Sequence, residues 1–206
     1  TSIKDPLEMA IKIMEHPSVH MHGPEHHYLP AAVLISAYYR ANNHPELIEK
    51  SLLAVRERAE KIPGGFCGSH GSCGAGLSTG IFMSVITGST PYAKEEWRLG
   101  NMMTAKSLLR IAESGGPRCC KRVTYQSILE AVKFTKEKLN VSIPCEGIST
   151  CTFFKFNKEC LFMNCEFYNP KIQITNVSSE LNSGACCFGE INEFKTFFSF
   201  LEKTSN

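Results

Sequence analysis

Through the first two thirds of the chain, apolar residues recur every three to four positions, the period of helices packed on a shared core. Asp5-Pro6 followed by Glu8 supplies an N-cap, a proline at the first helical position and a capping-box-like acid. Leu7, Ala10, Ile11 and Met14 then share one face, which predicts a helix over residues 6–16. Residues 25–41 are apolar almost all round and predict the central, buried helix of a bundle. Pro45 opens a third helix, in which Ile48, Leu52, Val55 and Ala59 form a stripe against Glu49, Lys50, Arg56 and Lys61, so it is expected to be half exposed. Residues 77–88 read as a short buried helix ended by Gly88. Thr90-Pro91 is expected to cap the next, which runs to about Ser114 before Gly115-Gly116-Pro117 breaks it. Residues 124–139 predict another amphipathic helix with Ile128, Leu129, Val132 and Leu139 inward. Six helices before Asn140 give an all-α fold, a compact multi-helix bundle with Gly/Cys-rich loops.

The pattern changes after Val141. The stretch to about Asn169 is rich in Cys and Phe with little periodicity and reads as an irregular C-terminal appendage. Beyond it, residues 171–177 predict a short strand, and residues 191–203 predict a final helix with Phe194, Phe197, Phe198 and Leu201 on one face. The expected organisation is a helical Cys-rich domain over residues 1–168 and a tail over 169–206 that packs on it through one helix. No internal repeat interrupts this division.

Composition narrows the function classes. At 206 residues the chain can bury a core without covalent staples. Lys and Arg number 22 against 20 Asp and Glu, with no basic stripe, which argues against nucleic acid as a partner. The longest apolar run, residues 31–39, is interrupted by Ser36 and is far short of the roughly 18 residues of a membrane span. The first ten residues lack a secretory signal, and the missing initiator Met suggests a trimmed chain or a domain of something longer. Ten cysteines and the sequons at Asn140 and Asn176 raise a secreted disulfide protein as an alternative. Against it stand the adjacent pairs Cys119-Cys120 and Cys186-Cys187, because neighbouring cysteines reach disulfide geometry poorly. Metal binding or thiol chemistry fits better.

Four constellations could carry that chemistry. In PGGFCGSHGSCGAG, glycines surround Cys67, His70 and Cys73, and a helix follows at once. A helix start offers free N–H groups and positive potential, so Cys73 is expected to be a low-pKa thiolate, with a tight small-residue helix crossing as the plainer reading. In GGPRCCKR, three cations beside Cys119 and Cys120 favour thiolates, and one of the two is expected to be a ligand while its neighbour turns elsewhere. Both could instead be small buried hydrophobes. The run Cys151-x8-Cys160-x4-Cys165, with Cys145 upstream, contains no C-x-x-C, which disfavours classical zinc modules and leaves iron–sulfur ligation from separate loops. Finally, His20, His22, His26 and His27 surround Glu25 at the entry to the buried helix. If the helix starts after Gly23-Pro24, His22 and His26 lie near one face as ligand or base, the alternative being a solvated polar cap.

The stretches HGPEHHYLPAAVL, GGFCGSHGSCGAGLSTGIF, TAKSLLRIAESGGPRCCKR and FNKECLFMNCEF resemble an uncharacterised Cys-rich family, domain of unknown function 5714. That resemblance covers about residues 20–168 and carries no settled activity. It implies a cytoplasmic setting in anaerobic archaea and bacteria, association with SAM-dependent methyltransferase or radical-SAM regions, and Cys67, Cys73, Cys119, Cys120, Cys151, Cys160 and Cys165 as motif cysteines. The chain itself has neither a SAM-binding Gly-rich fingerprint nor a C-x-x-x-C-x-x-C triplet.

The leading expectation is an iron–sulfur domain whose ligands come from those seven cysteines and His22, with Glu25, His26 and His70 as catalytic groups. Its role would be redox, sulfur transfer or Lewis-acid activation of a small or sulfur-containing substrate, with a methyltransferase or redox protein as partner. Two alternatives remain: a metal-free thiol enzyme with Cys73 as nucleophile and Cys67 resolving, and a structural-zinc or partner-docking module.

Overall fold

The computed structural model describes residues 3–147 and 150–171. The described residues form seven α-helices, with no strand among them: α1 Pro6–Met14, α2 Glu25–Ala41, α3 Ile48–Ala59, α4 Phe66–Ser69, α5 Gly74–Thr87, α6 Glu95–Glu113 and α7 Cys120–Leu139. The helical class expected from periodicity is the class observed. The strand over 171–177, the helix over 191–203, the Asn176 sequon and Cys186-Cys187 lie outside the described residues.

Local chemistry sets the first helix, where the Asp5 carboxylate accepts the N–H of Leu7 at 2.7 Å and of Glu8 at 3.4 Å. The all-round apolarity of α2 has the predicted consequence. It is the hub, packed against α1, α3, α5 and α7, with Leu29, Ala31, Val33, Leu34 and Ile35 buried. Pro30 inside α2 cannot donate to the helix ladder, and the next amide, Ala31 N–H, donates to Ser78 Oγ of α5 at 3.0 Å. Helix α5 also lies close on α6, where a Cβ at Gly80 would collide with the Thr104 hydroxyl. Phe82, Met83, Met103 and Phe134 complete the core, each fully buried large side chain contributing about 1.5–3 kcal/mol.

Three helix starts differ from expectation. Helix α5 begins at Gly74, three residues early, because glycine is tolerated where α2 leaves no room for a side chain. Helix α6 begins at Glu95: Thr90-Pro91 does not cap it but forms a separate turn closed by Ala93 N–H to Thr90 O at 3.1 Å. Helix α7 begins at Cys120 with Cys119 as N-cap, so the cysteine pair sits on a helix start rather than ahead of one.

In α7, Ile128 is buried and Leu129, Val132 and Leu139 pack against the core as expected, but the start of the helix is covered all round, with Lys121, Arg122, Thr124, Gln126 and Ser127 buried as well. Part of the cover over Lys121, Arg122 and Gln126 is the Cys/Phe-rich segment, which is irregular as expected, with single 3-10 turns at Phe154–Phe156 and Phe162–Asn164. It is also part of the core. Phe153 and Phe167 are buried, Phe167 meets Tyr125 of α7 edge-on at 5.2 Å, and Cys151 N–H donates to Phe167 O at 2.6 Å to close the loop.

Candidate functional site

The N-terminus of α7 separates the cysteines into two sets. An extended N-cap followed by the first helical residue points neighbouring side chains in different directions, so Cys119 and Cys120 line different cavities. Cys120 joins Cys67, from α4, and Cys73, the N-cap of α5, around a cavity of about 230 Å³. His26, His27, Arg118 and Arg122 share its wall. Cys119 instead joins Cys151, Cys160 and Cys165 around a cavity of about 20 Å³, walled by Phe153, Phe154, Phe167 and Tyr168. Cys73 and Cys119 therefore line different cavities, and the seven motif cysteines fall into two sets. Among the described residues, no three His, Cys, Asp or Glu side chains are already drawn to metal-ligand distance around one point. The eight described cysteines are free thiols.

Burial dominates the acidity of Cys73, Cys119, Cys120, Cys145 and Cys151. It raises the Cys73 thiol, although the amides of Ala75 and Gly76 pull the other way, so the expected low-pKa thiolate at this helix start is not what the fold makes. Burial likewise raises Cys119 against the amides of Arg122 and Lys121, and it pushes Cys120 and Cys151 up to about 12. The cations flanking the pair do not outweigh it. Cys145 stands apart, near Asp5, and is pushed up to about 11, again mainly by burial.

Of the residues expected to be catalytic, only His26 lines the larger cavity. Its ring is 1% exposed. Nδ1 donates to Gly23 O at 3.2 Å, which leaves Nε2 as a buried acceptor with no partner among the described residues. Burial first, then the Lys121 charge, holds its pKa well below the ordinary histidine value, so the ring is neutral. Glu25 turns back instead to accept from His20 Nδ1 at 2.6 Å. His70 lies on the surface, stacked on Phe66 at 4.2 Å and bonded to Ser69 Oγ at 2.8 Å, outside either cavity. His22 does not share a face with His26: Nε2 meets Asn157 Oδ1 at 3.3 Å and Glu159 Oε2 at 3.6 Å, toward the Cys/Phe-rich segment.

The sequence placed His27, Arg118 and Lys121 within its motifs but assigned none of them to the site. His27 lines the larger cavity and donates from Nδ1 to Ile62 O at 3.2 Å, and burial lowers its pKa. Lys121 is fully buried, donating to His20 O at 2.9 Å with Nζ 4.9 Å from the Phe153 ring centroid. Burial lowers it to about 8, while Cys120, Glu25, Cys119 and Cys151 act to raise it. The sequence signal for these was only proximity to the motifs.

Among the described residues no helix is long and apolar enough to cross a membrane. No curated protein and no solved structure matches the chain. The profile described as Family of unknown function (DUF5714) matches residues 1–168, which takes in every helix among the described residues and both cysteine sets. The chain belongs to that uncharacterised family.

Proposed function

We propose that this chain is a metal-dependent domain in which Cys67, Cys73 and Cys120 hold an iron–sulfur cluster with one position left open to a small substrate. The observation that carries this reading is the larger cavity itself. Three thiols from three separate elements line it beside a buried imidazole whose Nε2 has no partner among the described residues. At about 230 Å³ the space can take a group larger than one ion. Three thiolates leave a site-differentiated cluster able to polarise a bound substrate oxygen or sulfur as a Lewis acid. Arg118 and Arg122 on the wall favour a substrate with anionic character, and His26 Nε2 is the acceptor that would hold or take its proton.

The residues also weigh against a metal-free thiol enzyme. Burial keeps Cys73 protonated at neutral pH, whereas a nucleophile of that kind is a thiolate. Metal binding would supply the missing driving force by releasing the protons.

The test is anaerobic purification followed by an absorption spectrum and analysis of iron and acid-labile sulfide on one sample. Iron and sulfide in matching amounts, both lost in Cys73→Ser and in Cys120→Ser, are expected. Wild-type protein that holds neither iron nor sulfide would overturn the reading.

A further inference from the structure

Four of the cysteines that the larger cavity does not use form a second constellation. Cys119 comes from the start of α7, and Cys151, Cys160 and Cys165 come from the irregular segment that covers it. The geometry points to a separate tetrathiolate site for a single Zn²⁺, held by Cys119, Cys151, Cys160 and Cys165, which clamps residues 150–168 onto α7.

Size separates this site from the first. A cavity of about 20 Å³ takes an occupant of one water or one ion, since a single probe sphere needs roughly 10–15 Å³, and it cannot take a cluster with bridging sulfides. The backbone is arranged for sulfur anions. Phe153 N–H faces Cys151 Sγ at 3.4 Å and Phe162 N–H faces Cys160 Sγ at 3.4 Å, each two residues beyond its cysteine. The first amides of α7 serve Cys119 in the same way. Cys160-x4-Cys165 also falls within the ligand spacing that zinc modules use.

Charge gives an independent argument. Lys121 and Arg122 are 0% and 4% exposed, and Arg122 lines this cavity too. Glu25 is one carboxylate acting on Lys121 and also accepts from His20, so two buried cations beside the thiols favour further negative charge there. Four thiolates on Zn²⁺ carry a net charge of −2 and supply it. Such a clamp would add to the contacts of Phe153 and Phe167, because the segment has no helix beyond two single turns to hold its own backbone. Cys119 and Cys120 are adjacent, so the clamp also holds the start of α7 against the larger cavity.

The experiment uses the full chain. Zinc is measured on wild type, on Cys67→Ser/Cys73→Ser and on Cys160→Ser/Cys165→Ser, and cadmium-exchanged wild type is examined by cadmium NMR, whose shift reports the number of sulfur donors. Expected are one tightly held zinc per chain in wild type, its retention in the first double variant and loss in the second, and a four-sulfur cadmium environment. Absence of zinc from wild type, its loss with Cys67 and Cys73 rather than with Cys160 and Cys165, or fewer than four sulfur donors would overturn the proposal. The cadmium measurement stands even if the second variant does not fold. Because iron and sulfide are read separately at Cys73 and Cys120, either proposal can fail alone.

Discussion

Replacing Gly74 with alanine sets two physical effects of opposite sign against each other. Gly74 opens α5, where alanine's higher helix propensity alone would stabilise the protein by about 0.5–1 kcal/mol. A Cβ at this position would, however, fall inside the His27 imidazole on α2. That ring is mostly buried and tied to Ile62 O at 3.2 Å, so it cannot swing into solvent without breaking the bond. Forcing a methyl into a packed site costs about 1–3 kcal/mol. Losing the hydrogen bond costs about 0.5–1.5 kcal/mol more. The net expectation is destabilisation by about 1–3 kcal/mol, taking the propensity gain into account. Urea unfolding under reducing conditions, followed by far-UV circular dichroism, reads this as a midpoint lowered by roughly 0.5–1.5 M at an unchanged slope of about 2 kcal/mol/M. Gly68→Ala is the control: nothing lies within 4 Å of its Cβ position, so it should be neutral or stabilise by about 0.4–1 kcal/mol. A Gly74→Ala midpoint at or above that of wild type would refute the reasoning, because propensity would then have outweighed the His27 overlap.

Three other outcomes follow from the packing. Ser78→Ala strands the buried Ala31 amide beside Pro30 and should cost about 1–3 kcal/mol in the same urea assay, while a loss under about 0.5 kcal/mol would show that the amide finds another acceptor. Phe82→Ala removes a fully buried ring and should cost about 3–5 kcal/mol, which a midpoint within error of wild type would contradict. His26 and His27 have folded pKa values depressed by burial, so the unfolded chain binds more protons below its histidine pKa near 6.5. Stability is therefore full above that value and falls as pH drops below it, by up to about 1.4 kcal/mol per pH unit for each ring that stays neutral. Midpoints that stay constant from pH 7.5 to pH 5.5 would show that these rings protonate in place.

Periodicity determined where most helices lie and that α2 is central, because a helix apolar on every face has no stable place except among others. The Asp5 cap and the Gly88 stop were legible for a similar reason: both act within a few residues of chain. Residue chemistry also marked the cysteine loops and His26 as the places to look. What spacing could not convey was grouping. Cys119 and Cys120 are neighbours in sequence yet belong to different cavities, since an N-cap and the residue after it diverge. Cys119 and Cys165, far apart in the chain, share one. Acidity was misread for a related reason. Helix ends and flanking cations are local and visible in sequence, whereas desolvation of Cys73 and Cys120 depends on what the rest of the chain lays over them, and that larger effect is settled only by tertiary packing.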